Sequence, residues 1–230
     1  MLAVSYEVSA LSYQLSVVRS SPYAILNTHY PILTTQYSLL NTTLKKMVEN
    51  LVGVKPEEML LHGPSKRYLS AFHWHEPKEG IVASYTPEAK DVHDHFGIFR
   101  GVDQIEAFAQ ATIVSCCTFL ECKKNNWTPL ELKEKFLPVF ISIGQVNFHS
   151  YLAQGETFIS IGYIKFYKFR QMVADGRIYK VPQGLNLTEY FSNFTPDRLK
   201  QYDLDERFVL IAELFDVTGR ALKKELIENK

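Results

Sequence analysis

The clearest periodic pattern in the sequence lies between residues 101 and 122. Apolar side chains recur there at the three- and four-residue spacing of one helix face, and no proline or second glycine interrupts them. The apolar positions are Val102, Ile105, Ala109, Ile113, Cys116 and Leu120. Because so broad an apolar face is normally buried, the pattern predicts a long helix that other structure surrounds.

Strand-forming residues dominate both sides of this predicted helix. Before it, residues 68–74 and 81–85 flank the turn signal Glu79-Gly80 and predict a hairpin. After it, runs of Val, Ile, Phe and Tyr predict strands at 136–148, 157–169, 177–181 and 208–217. A hairpin, a long apolar helix and a series of antiparallel strands together indicate the α+β class.

Turn and breaker residues divide the rest of the chain. Asp175-Gly176 predicts a type I′ hairpin turn, and Gly219 lies where the last strand is expected to end or turn. Residues 182–206 are polar and predict an insertion with a short helix near 196–202. Residues 44–60 have helical spacing that we expect Pro56 to end.

The first 46 residues consist largely of seven-residue repeats. SYEVSAL is followed directly by SYQLSVV, and THYPILT is followed directly by TQYSLLN. They lack the charged positions of a coiled coil. A DNA repeat whose length is three times seven nucleotides would give the same protein pattern if it were translated. Our hypothesis is therefore that residues 1–46 are a mis-assigned upstream extension and that the protein starts at Met47. The alternative is a genuine β-rich arm, and in either case residues 47–230 are expected to form one domain.

Composition excludes several classes of function. The 25 basic and 25 acidic residues cancel, so neither nucleic acid nor an anionic membrane is an expected partner. No run of about 18 apolar residues predicts a membrane span, and the N-terminus does not resemble a signal peptide. Cys116, Cys117 and Cys122 have no zinc-site spacing and are expected to be buried helix residues of a cytoplasmic protein.

One segment carries a family resemblance. It runs from His93 to Ala111, with the sequence HDHFGIFRGVDQIEAFAQA. It resembles the signature of the β-hydroxyacyl-acyl-carrier-protein dehydratases, in which a His-Phe pair precedes a Gly-Val turn and a helix opens with Ile-Glu-Ala-x-Ala-Gln. The resemblance implies a hotdog fold, an antiparallel sheet wrapped around a long central helix.

The resemblance also implies roles for individual residues. His95 would remove the proton beside the thioester, and Glu106 would help the hydroxyl group to leave as water. Gly101 would offer its N–H to the thioester carbonyl, and Gln110 would support the helix. The loop is shorter than in the family and lacks its prolines, so His93 is the alternative base. The substrate is expected to contact Gly101 and three neighbours, Val102, Phe96 and His93.

Elementary chemistry agrees with the role given to Glu106. On an apolar helix face its carboxyl group would lose water and favour the protonated form that a general acid needs.

The remaining histidines have simpler interpretations. The pair His93 and His95 lacks a further ligand cluster, so no metal is expected. His73 and His75 are expected on an exposed strand face, and the basic turn 62–67 is expected to be a solvated loop.

The expected activity is therefore dehydration of 3-hydroxyacyl-carrier-protein to trans-2-enoyl-carrier-protein, in fatty-acid or polyketide-type synthesis. The expected partner is an acyl carrier protein or a coenzyme A thioester, with no cofactor. By the same resemblance the protein would be a homodimer or a dimer of dimers. Two alternatives stay open at this point, a hotdog acyl thioesterase and a non-catalytic hotdog acyl-binding subunit.

Overall fold

The described part of the computed structural model covers residues 49–225, which lie in the compact unit Lys45–Lys230. The repeats before Met47, and the hypothesis that they are a mis-assigned extension, lie outside the described residues. The helices are α1 (Pro56–Met59), α2 (Ala89–Val92), α3 (Gly101–Asn125), α4 (Pro129–Lys135), α5 (Leu187–Tyr190) and α6 (Pro196–Gln201). The strands are β1 (Ala71–Glu76), β2 (Gly80–Tyr85), β3 (Ile98–Phe99), β4 (Phe136–Ser142), β5 (Gln145–Phe148), β6 (Leu152–Ala153), β7 (Phe158–Lys168), β8 (Gln171–Lys180) and β9 (Val209–Lys223).

The long helix α3 confirms the prediction made from its apolar stripe, and it extends to Asn125. A π-helical turn at Val114–Thr118 interrupts its regular geometry. The next residue, Asn126, adopts a left-handed conformation that closes the last turn of the helix. By length and composition this helix could also cross a membrane, but 83% of its most apolar window is buried inside the fold. That burial is what the core helix of a globular domain requires.

One antiparallel sheet packs against α3. Its strand order is β1-β2-β7-β8-β9-β4, and β5 also pairs with β9. The short strands β3 and β6 form a separate pair beside the N-terminus of α3. The α+β prediction is therefore confirmed. Two of its strand boundaries were wrong, because β9 continues through Gly219 to pair with β4, and Gly144 lies between β4 and β5 in the predicted strand 136–148.

The predicted hairpin turn at Asp175-Gly176 was also wrong. Both residues lie inside β8, and the chain turns instead at Phe169 and Arg170, whose φ angles are 53° and 60°. Two consecutive positive φ angles are typical of a type I′ turn. Gly176 is required for a different reason, because a Cβ atom there would overlap both the Ile161 carbonyl of β7 and the Phe108 ring of α3.

Pro56 also has a different role from the one predicted. It begins the one-turn helix α1 instead of ending a helix, and proline suits that first position because the N–H it lacks would have no partner there. The rest of the predicted helix 44–60 lies in irregular structure or outside the described residues.

The insertion 182–206 covers the sheet face opposite α3. On β7, Gly162 faces Thr112 of α3, whereas its neighbour Ile161 points the other way and packs with the insertion. Phe191 and Leu199 of the insertion are buried in the same hydrophobic cluster as Ile161. The predicted short helix is confirmed as α6. The insertion therefore stabilises the outer face of the sheet. It lies on the opposite side of the sheet from α3, the helix that carries Glu106.

His73 and His75 are buried, so the expectation of an exposed strand face was wrong. A β-bulge between Phe72 and Trp74 turns His73 toward Phe191 on the outer face, while His75 points toward α3. His73 Nε2 lies 2.8 Å from Ser84 Oγ, and His75 Nε2 lies 3.0 Å from Ser115 Oγ. Burial lowers the pKa of each imidazole to about 4.

The three cysteines are free and buried in α3, as predicted. Burial raises the pKa of the Cys117 and Cys122 thiols to about 12 and raises the pKa of Cys116 as well. Such thiols stay protonated and unreactive at neutral pH.

Candidate functional site

Glu106 lies on the second turn of α3, where Gln110 holds its carboxylate. The Gln110 Nε2 donates to Glu106 Oε1 at 2.9 Å and to the Lys66 carbonyl at 2.6 Å. The Gln110 Oε1 accepts from the Tyr68 N–H at 2.9 Å. Gln110 is 1% exposed. This one amide therefore fixes both the carboxylate and the loop in front of β1.

His62 contacts the same carboxylate from that loop. Its Nε2 lies 3.5 Å from Glu106 Oε1, and Arg67 Nε donates to the His62 carbonyl. The expectation of a solvated loop was therefore wrong at His62, whose side chain is 25% exposed. The contact spans 44 residues, and no local pattern in the sequence signals it.

The surroundings of His62 keep its ring neutral. Burial lowers the pKa of the imidazole, and Arg67 and Lys133 add to this against the opposing effect of Glu106. The Nδ1 atom is buried and has no hydrogen-bond partner among the described residues. Unpaired buried polar atoms are uncommon in folded proteins, and this one lies beside the candidate acid.

A groove of about 80 Å³ opens beside these two side chains. Its walls are mostly apolar, as in sites that bind small molecules. They are formed by α3, β4, β8 and β9 through Ala109, Ile113, Pro138, Val139, Phe140, Met172 and Gly219. The Glu106 side chain is 38% exposed at this groove. The expectation that an apolar face would strip this carboxylate of water is therefore wrong for the single chain.

The structure does not bring His95 to Glu106 within one chain. His95 lies on an exposed loop, and its Nδ1 is 3.2 Å from the Ile98 carbonyl. His93 is also exposed, with its Nε2 3.0 Å from Asp94 Oδ2. Phe96, next to His95, is 97% exposed. Glu106 instead meets His62, and a site that uses His95 would need a second protomer.

Gly101 is the first residue of α3, so its N–H has no partner within the helix. That geometry is compatible with the expected contact to a thioester oxygen. A second reason for glycine is steric, because a Cβ atom here would lie 2.7 Å from Phe148 Cζ. The neighbouring Val102 is 63% exposed and is therefore available to a ligand or a second chain.

No group of three or more His, Cys, Asp or Glu side chains within residues 49–225 is arranged to hold a metal ion. The polar groups at the groove are instead one carboxylate, one imidazole and one amide. These can exchange protons and donate or accept hydrogen bonds, which is the chemistry of a general acid or base.

Comparisons with known proteins find similarity at the level of structure. No family model matches the chain, and no curated protein matches it. A dehydratase heterocomplex from Xenorhabdus doucetiae aligns with a TM-score of 0.51 at 15% identity, covering 76% of this chain and 97% of that one.

Two thioesterases align less well. A mutant thioesterase from Pseudomonas aeruginosa has a TM-score of 0.39 at 12% identity, covering 66% of this chain and 81% of its own. A hypothetical thioesterase from Streptococcus pneumoniae, solved with coenzyme A, has a TM-score of 0.38 at 6% identity, with coverages of 66% and 82%. Together with the sheet order and the buried helix α3, the alignment to the dehydratase heterocomplex confirms that this chain has the hotdog fold.

Proposed function

We propose that this chain is an acyl-thioester dehydratase that converts a 3-hydroxyacyl thioester into a trans-2-enoyl thioester and water. The observation that carries this proposal is the position of Glu106, a fixed carboxyl group beside an apolar groove. An apolar groove suits an acyl chain, and a carboxyl group at its side suits proton transfer to a leaving hydroxyl.

In the proposed reaction the base removes the proton from C2 of the thioester. The electron pair of that C–H bond forms the C2–C3 double bond, and the C3–O bond breaks. Protonated Glu106 gives its proton to the departing hydroxyl, which leaves as water. Charge that develops on the thioester oxygen would be stabilised by the first N–H groups of α3, beginning at Gly101.

Gln110 and His62 determine which oxygen of Glu106 carries the acidic proton. Both contact Oε1, so Oε2 is left without a hydrogen bond from a described residue. An oxygen that already accepts a hydrogen bond is the poorer place for a proton, so the transferable proton belongs on Oε2. His62 and Gln110 therefore act as positioning residues.

The proposed base is His95 of a second protomer. Several exposed apolar side chains lie on the segments near this loop, namely Phe96, Val102, Phe148 and Tyr151. The Gln154 N–H donates to the Gly97 carbonyl of the loop, and Phe148 packs on Gly101 at the start of α3. Exposed apolar side chains of this kind are typical of an interface. We therefore propose a homodimer in which the His95 loop of one chain reaches the groove of the other.

A complementation experiment tests the shared site. His95→Ala and Glu106→Gln should each be inactive, whereas a refolded equimolar mixture should recover about a quarter of the wild-type rate, since half of the dimers carry one intact site. A mixture that stays inactive, although mass spectrometry detects mixed dimers, would exclude a base supplied by the partner.

Thioester hydrolysis is the second candidate, because the separation of His95 from Glu106 in one chain leaves a carboxylate that could activate water. In both reactions the acyl group would be joined as a thioester to an acyl carrier protein or to coenzyme A. Enoyl absorbance and free thiol should be followed together. Enoyl product without thiol supports the dehydratase, and thiol without enoyl product supports the thioesterase.

A further inference from the structure

A second concave surface lies far from Glu106, at the C-terminal end of α3. It is a groove of about 830 Å³ between the β1–β2 turn, the end of α3 and the β7–β8 turn. Glu121 on its wall is 15 residues along the helix from Glu106, or roughly 22 Å at 1.5 Å per residue. The groove is thus separate from the candidate active site.

Five cations line this groove, and none forms a salt bridge with a described carboxylate. Lys78 comes from the β1–β2 turn, Lys123 and Lys124 from α3, and Lys168 and Arg170 from β7 and its turn. Glu121, the one carboxylate among the described residues of the lining, already accepts from the Tyr167 hydroxyl at 2.8 Å. Five positive charges and one negative charge leave a net charge of +4, in a chain whose own net charge is zero.

Two lysines at a helix end have a simpler explanation, since they interact favourably with the helix dipole. That explanation covers Lys123 and Lys124 only. Lys78, Lys168 and Arg170 arrive from two separate turns, and bringing them to the same groove adds electrostatic repulsion. An anionic ligand would relieve that repulsion.

The β7–β8 turn adds a flat aromatic surface to the groove. Phe169 is 75% exposed, and Lys168 Nζ lies 5.1 Å from its ring centroid. The turn is held in place, because the Arg170 carbonyl accepts the Ala221 N–H at 3.0 Å and its guanidinium lies 4.8 Å from the centroid of the Phe136 ring. The Nε of Arg170 is buried without a hydrogen-bond partner among the described residues.

We infer that this groove binds a phosphorylated nucleoside. Clustered lysine and arginine side chains suit phosphate oxygens, and an exposed ring suits stacking with a base. The volume lies in the range of small-molecule sites. Two sources share this chemistry, a free nucleotide and the nucleotide end of coenzyme A. The inference goes beyond the proposed dehydration and does not depend on it.

Calorimetric titration of the full chain with ADP tests the inference. Wild-type protein should bind ADP, and adenosine and pyrophosphate should each bind more weakly. The double variant Lys123→Glu/Lys168→Glu should weaken ADP binding about tenfold or more, because it reverses two of the charges that line the groove, one from α3 and one from β7. Lys55→Glu, at an exposed lysine that forms no salt bridge within residues 49–225, is the matched control and should bind like the wild type.

The aromatic surface has its own test. Phe169→Ala should weaken ADP binding about tenfold while leaving pyrophosphate binding unchanged, since only ADP carries a base that can stack. Unfolding midpoints of all variants must match the wild type. No binding of ADP at millimolar concentration, or equal binding by the charge-reversed variant, would overturn the inference. Binding of an acidic carrier protein alone would overturn it too.

Coenzyme A separates the two sources of ligand. Binding at least about tenfold tighter than that of ADP would assign the groove to a thioester substrate, whereas equal binding would assign it to a free nucleotide. Both outcomes support the inference. Glu106→Gln should leave ADP binding unchanged, so failure of the nucleotide site and failure of the proposed dehydration are separate results.

Discussion

Replacement of Gln110 by alanine should destabilise the fold and release the candidate acid in one step. The Gln110 amide connects α3 to the loop before β1 through the Lys66 carbonyl and the Tyr68 N–H, and it also donates to Glu106. Because Gln110 is 1% exposed, water cannot easily replace these hydrogen bonds.

The magnitude follows from the groups left without a partner. A hydrogen bond contributes about 1 kcal/mol net, and a buried group that loses its partner costs about 1–3 kcal/mol. The Tyr68 N–H would be left buried without its partner, and the bond to the partly exposed Lys66 carbonyl would be lost as well. We therefore expect Gln110→Ala to lower the free energy of unfolding by about 2–4 kcal/mol. Urea denaturation followed by tryptophan fluorescence measures this, and the m value should not change.

A matched control separates this effect from the loss of any glutamine. Gln145 also donates through its Nε2, to Asn147 at 2.9 Å, but it does so on an exposed strand. Gln145→Ala should therefore change stability by no more than about 0.5 kcal/mol. A loss below about 1 kcal/mol for Gln110→Ala would refute the reasoning, because the amide would then not support the loop.

Three further predictions follow from the packing and the pKa shifts. Gly176→Ala should cost about 1–3 kcal/mol of stability, since its Cβ would overlap an α3 ring, whereas Gly63→Ala has open space and should cost under about 0.5 kcal/mol; thermal unfolding compares them. His73 and His75 have a pKa of about 4 when folded and about 6.5 when unfolded. The unfolded chain therefore binds protons first as the pH falls, and urea midpoints should show a loss of about 2 kcal/mol per histidine from pH 7.5 to pH 5; a flat profile would contradict this. His62→Ala should lower kcat about tenfold and shift its pH profile, and His62→Gln, which keeps a donor toward the carboxylate, should restore part of the rate.

The sequence predicts the parts of the fold that depend on local pattern. The helix α3 has a continuous apolar stripe, so its position and burial follow from spacing alone. The hairpin before it and the succession of strands after it follow from the strand-forming runs, although not their boundaries or their order in the sheet. The hotdog arrangement follows from the resemblance at His93 to Ala111. Glu106 and Gln110 lie together because four residues make one turn of a helix.

Contacts between distant segments could not be predicted from one sequence. Gly176 resembles a turn glycine, but the space for a side chain is taken by the Ile161 carbonyl and by Phe108, which lies 68 positions earlier. His62 meets Glu106 only after the loop before β1 folds onto α3. The β-bulge that turns His73 away from His75 depends on pairing with β2. The site proposed for His95 and Glu106 would need a second chain, which a single sequence does not describe.

The most direct test of the central claim is the enoyl absorbance that forms from a 3-hydroxyacyl thioester in the presence of the full chain and of Glu106→Gln. Glu58→Gln, an exposed carboxylate on α1, is the matched control. We predict enoyl product with the wild type and with Glu58→Gln, and a loss of at least about a hundredfold with Glu106→Gln, the size of a general-acid contribution. Undiminished enoyl formation by a folded Glu106→Gln protein would contradict the proposed role of this carboxyl group.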